Sequence, residues 1–358
     1  MRVESSNRKI AKDLLAHYDV HARRLPWRMA PGSNVAADPY RVWLSEVMLQ
    51  QTTVAAVAPY FARFTDCWPT VADLAGAADA DVMAAWAGLG YYARARNLLA
   101  CARAVARDHG GIFPDTEEGL RALPGVGAYT AAAVAAIAFR RRAVVVDANV
   151  ERVVARLFAI ATPLPAARPE IRAAADRITP DARAGDFAQA MMDLGATICT
   201  PRNPACGICP LREDCAAFLT ADPAAFPVKA AKKTRPHRHG HAWWIERTDG
   251  HVWLVRRPDK GMLGGMRALP SSDWSAAAPA ATPPFPARWS ALADPVTHVF
   301  THFSLDLMVH VARVNGDCLP PGQGEWWPLD RLEDAGLPTL FRRAADAAMK
   351  ETIDDVRR

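Results

Sequence analysis

The sequence predicts a multidomain chain, with an all-α domain followed by a smaller α+β domain. Three observations carry this. The chain has 358 residues, 51% of them apolar, which suits two cores of ordinary size. Apolar residues recur at helical spacing through about the first 220 positions, and beyond position 237 they alternate with polar ones. Between the two, residues 224–238 shift in composition to Pro, Lys, Arg and His, and 226–236 within them read as a linker. The expected domains are therefore 1–225 and 237–358.

Composition narrows the class. Net charge is +5, a modest basic excess compatible with a polyanionic partner. No apolar run approaches the length of a membrane span, and the first residues lack a signal-peptide apolar stretch. Seven cysteines, an odd number with four clustered, favour a metal or cluster site in a reducing compartment over a disulfide framework. A monomeric, cytoplasmic protein is expected.

Taken in order, residues 8–20 read as an amphipathic helix. Leu25-Pro26-Trp27-Arg28 and a polar loop follow. Asp38-Pro39 forms an N-cap and first-turn pair for a helix with apolar Tyr40, Trp43, Leu44, Val47 and Met48. Glu46 lies inside it. Its neighbours one turn away are Val42, Trp43, Leu49 and Gln50. That surround predicts a desolvated carboxyl, which tends to stay protonated near neutral pH, rather than a helix-edge carboxylate meeting solvent. Gln50, Gln51, Thr52 and Thr53 then form a polar cluster. Residues 71–87 suggest a further helix.

Gly88-Leu89-Gly90-Tyr91-Tyr92 interrupts the helical pattern, and Arg94, Arg96 and Asn97 stand behind it. The combination suits a wedge and phosphate clamp on a nucleic acid, against ordinary helix packing. Gly125 and Gly127 make a turn entering a helix, Tyr129 to Phe139, that can aim backbone N–H groups at a phosphate. Arg140, Arg141 and Arg142 lead to Asp147. That residue precedes Val150, Val153, Val154, Leu157 and Phe158 at helical spacing, an ordinary N-cap position as well as a candidate functional acid. Residues 166–178 and 186–198 add two helices, the second carrying Gln189.

Cys199-x6-Cys206-x2-Cys209-x5-Cys215 is a four-thiolate ligand set. Zinc usually takes two Cys-x2-Cys pairs and only one is present, whereas a [4Fe–4S] cluster takes four cysteines. Past the linker, Trp243 to Arg247 and Val252 to Arg256 flank an Asp249-Gly250 hairpin turn. Leu305, Leu307, Val309 and Val311 alternate with Asp306, Met308 and His310. The 276–287 stretch reads as a surface loop, and a helix from Leu340 closes the chain.

Residues 1–220 resemble the adenine-specific branch of the helix-hairpin-helix DNA glycosylases. The matching stretches are 25–28, 38–52, 88–92, the hairpin at 123–130 (motif about 121–139) and the four cysteines. The resemblance implies an all-α helix-hairpin-helix glycosylase domain with a [4Fe–4S] cluster on Cys199, Cys206, Cys209 and Cys215. It implies Glu46 as the acid that protonates adenine at N7, Asp147 as the group that stabilises the oxocarbenium-like sugar, and Tyr129 in support. Trp27, Arg28 and Gln189 fall where the family holds the flipped adenine. Gln51, Thr52, Leu89 and Tyr91 fall where it wedges the duplex, with Gly125 and Gly127 on the DNA backbone. The physics agrees, because adenine leaves poorly unless protonated and the sugar cation needs an ionised neighbour. Endonuclease III-like relatives hold a Schiff-base lysine where this chain has Tyr129, which cannot form an imine. A glycosylase without strong lyase activity is therefore expected.

Residues 237–350 resemble the Nudix-like C-terminal domain of the same family through 261–266 and Phe300-Thr301-His302. Recognition of 8-oxoguanine by Phe300, Thr301 and His302 is implied. Arg267-Ala268-Leu269-Pro270 departs from the family pattern, and without a Glu-rich Nudix box pyrophosphate hydrolysis is not expected. The implied partner is double-stranded DNA carrying adenine opposite 8-oxoguanine or guanine. Two rivals stand beside this reading: a glycosylase/lyase on oxidised pyrimidines, disfavoured by Tyr129, and a catalytically silent DNA-binding module, disfavoured by the setting of Glu46.

Overall fold

The computed structural model describes residues 2–230, 235–258, 262–300, 302–316, 320 and 322–356. The chain divides into two units, Met1–Ala231 and Lys232–Arg358. Among the described residues, no helix is long and apolar enough to cross a membrane.

Unit one is helical, with one contiguous core running from Ile10 to Leu211. The first helix, Arg2–His21, extends further toward the N-terminus than the expected 8–20. The Glu46 helix spans Pro39–Met48, and Asp38 caps it by accepting from the Tyr40 N–H. Every residue from Val42 to Met48 is buried, as a helix packed on all sides requires. One of its neighbours is the alanine-rich helix Ala128–Ile137. Ala131 to Ala136 are fully buried there, and their small side chains let the two axes approach closely.

The expected single helix over 71–87 is two helices, Val71–Gly76 and Asp79–Trp86, because Ala77 and Ala78 are extended between them. Thr70 and Asp73 close a reciprocal capping box on the first. The later helices Arg168–Ile178 and Ala184–Thr197 lie close to their expected bounds. The expected linker begins inside unit one: Phe226 accepts from Arg156, and Val228 accepts from the Leu164 N–H.

Unit two is a seven-stranded mixed sheet. The strands are β1 His237–Arg247, β2 His251–Arg256, β3 Arg267–Ala268, β4 Ser290–Ala291, β5 Val296–Val299, β6 Ser304–Val314 and β7 Gly324–Pro328. The order is β3-β2-β1-β6-β4, with β5 also on β6 and β7 also on β2. β1 and β6 run parallel, from His237 opposite Ser304 to Arg247 opposite Val314. The other pairs are antiparallel, and β1 and β2 form the expected hairpin across Asp249-Gly250. The C-terminal helix Thr339–Val356 covers one face with Leu340, Phe341, Ala344, Ala345 and Ala348. On the other face, Trp243, Ile245, Trp253 and Val314 pack with Phe285 and Trp289. Phe285, within the stretch read as a surface loop, thus helps to cover a sheet face.

Candidate active site

Two acidic side chains and a phenol, from three helices, converge in unit one. Glu46 is buried, 6% exposed, and accepts a 2.6 Å hydrogen bond from the Tyr129 hydroxyl. Burial pushes its carboxyl up to about 6, and nearby Asp147 pushes the same way. The Tyr129 bond and the Arg28 charge pull it back without cancelling burial. Tyr129 sits on the first turn of the alanine-rich helix. Its phenol is held well above the ordinary range, first by burial and then by Glu46 and Asp147, so it stays a neutral donor.

Asp147 caps the helix Ala148–Leu157. One carboxylate oxygen accepts from the Val150 N–H at 2.7 Å, and the other from Asn149 Nδ2 at 2.9 Å. The N-cap role read from the sequence and the proximity to Glu46 therefore hold together in one side chain. Both oxygens are engaged from the helix side, which aims the group. The site combines a buried acid with a raised pKa, a neutral hydroxyl on it, and a second carboxylate within electrostatic reach. Chemically, it can deliver a proton on one side and stabilise a cation on the other.

Arg28 anchors the neighbouring wall. Its Nη1 donates to both oxygens of buried Asp193 at 2.8 Å, while Arg23 donates to the same carboxylate through Nε at 2.6 Å. Trp27 is buried edge-on against Phe61. Gln189 is buried on Ala184–Thr197, its amide within 3.4 Å of the Gly185 carbonyl. Gln50 reaches Thr130 on the alanine-rich helix.

Gln51 and Tyr91 both have positive φ, 58° and 51°. Such strain in non-glycine residues gathers at functional loops. Tyr91 is 60% exposed, whereas Leu89 is closed into the core. Arg94, read from sequence as part of a phosphate clamp, instead turns inward. It donates to the carbonyls of Val47, Met48, Gln50 and Leu89 and to Thr52 Oγ1. It thereby ties the end of the Glu46 helix to the tyrosine turn. Free carbonyls at a helix C-terminus outcompete solvent for a guanidinium that packing has already half buried.

Gly125 has φ +71°, and a Cβ there would lie 2.6 Å from Asn97 Cβ. Gly127 differs, with ordinary φ and open space around it. It serves as the N-cap of a helix start with no side-chain cap bond, the arrangement that leaves N–H groups to an anion.

The four cysteines line one cavity, with Val153, Arg156 and Leu211 among its walls. Buried Arg156 donates to Cys199 Sγ at 3.2 Å and to the carbonyls of Thr200, Pro201 and Phe226. Among the described residues, the one metal-capable group whose donor atoms come within 4.8 Å of one another lies elsewhere, at His237, His239 and Asp306. A lone zinc with four thiolates at about 2.3 Å would hold its sulfurs roughly 3.8 Å apart. The wider thiol cavity fits a multinuclear cluster. Arg152 connects the loop to the acid: it donates to the Cys199 carbonyl and to Asn149 Oδ1, and Asn149 donates to Asp147. Asn149 packs this closely because Gly195 opposite lacks a side chain, and a Cβ there would meet Asn149 Cβ at 2.6 Å.

Asp193, Asn149, Arg152 and Arg156 were not singled out in the sequence. An arginine on the apolar face of Ala148–Leu157 was the one local sign of Arg156.

In unit two, Phe300 stacks on Trp274 at 5.6 Å and packs on Phe303 and His298. His302 is exposed. Thr301 lies outside the described residues, as does Gly261.

Comparison with known proteins bears on this geometry. Residues 44–178 match the HhH-GPD superfamily of base excision DNA repair proteins. Residues 199–215 match the iron–sulfur binding domain of endonuclease III, and 241–347 a NUDIX domain. The chain is 34% identical to the adenine DNA glycosylase of Homo sapiens over 395 residues, covering 92% of this chain and 72% of that protein. The adenine DNA glycosylase of Mycobacterium tuberculosis (strain ATCC 25618 / H37Rv) is 47% identical over 203 residues, covering 56% of this chain and 64% of that protein. Among solved structures, a thermostable thymine-DNA glycosylase superposes with TM-score 0.54 at 29% identity, over 60% of this chain and 97% of that one. A non-covalent endonuclease III–DNA complex, 24% identical, shares the fold with TM-score 0.50, over 60% of this chain and 96% of that one.

Proposed function

Because the chain belongs to the adenine DNA glycosylase family and is a DNA glycosylase of base excision repair, we propose that it excises adenine mispaired with 8-oxoguanine or guanine by hydrolysing the N-glycosidic bond, with little lyase activity. The observation that carries this reading is the 2.6 Å bond from Tyr129 to buried Glu46, with its carboxyl raised to about 6. A carboxyl with that pKa keeps about a tenth of its population protonated at pH 7 and can act as a general acid.

In this mechanism the adenine leaves the stack and is held by Trp27, Arg28 and Gln189. Glu46 gives its proton to adenine N7. The C1′–N9 bond breaks with its electron pair going to the base. Asp147, aimed by Val150 and Asn149, stabilises the sugar cation or forms a covalent intermediate with it, and water completes hydrolysis. Tyr129 keeps Glu46 oriented. Its phenol cannot form the imine that strand cleavage by a lyase needs, which supports a monofunctional enzyme.

Gln51, Thr52, Leu89 and Tyr91 are assigned to the distorted duplex, with exposed Tyr91 as the wedge, and the Gly125–Gly127 turn to a backbone phosphate. The [4Fe–4S] cluster held by Cys199, Cys206, Cys209 and Cys215 supplies structure to the loop and has no part in the proton and sugar chemistry. Unit two, through Phe300, Thr301 and His302, is assigned to 8-oxoguanine. The enzyme is read as a monomer, each unit having its own core. Four clustered cysteines given to an iron–sulfur cluster rather than to a disulfide framework support a reducing compartment, the cytoplasm.

The test is single-turnover incubation with labelled duplexes carrying adenine opposite 8-oxoguanine, adenine opposite guanine, or thymine glycol, with and without alkali. Alkali-dependent cleavage at adenine is expected. Alkali-independent strand cleavage at thymine glycol would sink the proposal.

A further inference from the structure

A second donor cluster belongs to unit two, whereas the four cysteines belong to unit one. β1 and β6 pair in parallel with His237 opposite Ser304 and His239 opposite Asp306. Residues two apart on a strand share a face, so both histidines stand on the face that carries Ser304 and Asp306. The side chains meet there. His237 Nε2 lies 2.9 Å from Asp306 Oδ2 and its Nδ1 lies 2.8 Å from Ser304 Oγ. The His237 and His239 rings are 4.7 Å apart, nearly perpendicular. One ligand atom from each of His237, His239 and Asp306 falls within 4.8 Å of the others.

From these contacts we infer that His237, His239 and Asp306 form a divalent transition-metal site whose donors suit zinc. Three donors about 2.1 Å from a tetrahedral ion stand about 3.4 Å apart, so the cluster needs only small side-chain rotations to close on one. Two imidazoles and one carboxylate are borderline ligands suited to zinc, whereas calcium and magnesium want oxygen. The outer contacts are those of a ligand shell. Ser304 Oγ can accept from Nδ1–H of His237, which frees the Nε2 lone pair. Thr297 Oγ1 donates to the second Asp306 oxygen at 3.0 Å. Such partners fix the tautomer and direction of first-shell ligands. Arg238, between the histidines, lies over the Phe303 ring at 4.4 Å, so its charge is not on the metal-binding face. The bound ion would clamp the start of β1 to the start of β6, directly after Phe303, whose carbonyl accepts from the Phe300 N–H. A plain His–Asp ion pair is the competing reading, and it predicts no metal.

The test uses the full-length holoenzyme with its iron–sulfur cluster intact. Protein cleared of loose metal is dialysed against zinc, and zinc and iron per chain are measured for wild type, His239→Asn, Asp306→Asn and the double variant His237→Asn/His239→Asn. We expect one zinc per chain in wild type with iron unchanged. Affinity should fall at least tenfold in each single variant, binding should be lost in the double, and adenine excision should be retained in all. Zinc should raise the thermal midpoint of wild type and leave that of the double variant unmoved. His239→Asn guards against misfolding, since its ring packs on His237 and its hydrogen bonds to Ser275 run through the backbone, which the substitution keeps. No zinc retained by wild type would overturn the site. So would equal zinc in wild type and variants, which would place the ion on the cysteines.

Discussion

At Glu46 the competition is between burial, which favours the neutral carboxyl, and one hydrogen bond, which favours the anion. Burial wins and the carboxyl stands near 6. The acid must be protonated to act, so the single-turnover excision rate should be highest below pH 6 and fall as pH rises through it. Glu46→Gln should abolish excision while leaving lesion-duplex binding within about threefold. Excision near the wild-type rate would discard the acid assignment. Tyr129→Phe removes a donor that stabilises the Glu46 anion. Its carboxyl should titrate higher, and the falling limb of the pH profile should move to higher pH. An unmoved limb would mean that the phenol does not set the acid. Asp147 separates structure from chemistry. Asparagine is as good an N-cap as aspartate, so Asp147→Asn should keep the Val150 cap, lose the Asn149 bond and with it only a small part of the thermal midpoint, while losing most of the excision rate. Asp147→Ala should lose both, with a stability cost of about 1 kcal/mol. An active, stable Asp147→Asn would reduce the residue to its capping role.

At the scale of elements, the cysteine loop is held by a side chain from the helix behind it. Arg156 is 2% exposed and donates to one ligand sulfur and three carbonyls. Removing it leaves buried acceptors unsatisfied, at about 1–3 kcal/mol each. Arg156→Met should lower the thermal midpoint and the iron content together. Cys209→Ser should remove iron and the absorbance near ~400 nm directly. Full iron content in Arg156→Met would show that the cysteines alone hold the loop. Elements were largely legible beforehand where the signal was local. Asp38-Pro39, the helix after Asp147 and the Asp249-Gly250 hairpin all fell where caps and alternation put them. The 71–87 segment did not, because alanines permit helix and extended backbone alike and packing chose a break at Ala77-Ala78.

At the scale of the molecule, the chain has two units, each with its own core. Ending the chain at Ala231 should leave a folded enzyme that still excises adenine. Its preference for adenine opposite 8-oxoguanine over adenine opposite guanine should fall about tenfold, the worth of one discriminating contact of roughly 1–3 kcal/mol. Single-turnover rates and affinities on both duplexes decide this. If both substrates weaken equally, unit two is a general DNA clamp.

The sequence by itself determined the helical spacing around Glu46, the four-cysteine loop, the cap at Asp147, and the change from helix to sheet. Each rests on residues within a few positions of one another, where periodicity and side-chain chemistry suffice. Only the tertiary structure decided which distant groups meet. Tyr129 reaches Glu46 across 83 positions, Arg28 reaches Asp193 across 165, and His237 reaches Asp306 across 69. It also turned Arg94 from solvent into the protein and Phe300 onto Trp274. The reason is physical. A local pattern shows which face of an element is buried, but how deeply a carboxyl is buried and which partner lies across that face are decided by how whole elements pack, and burial first and the partner second set the Glu46 pKa.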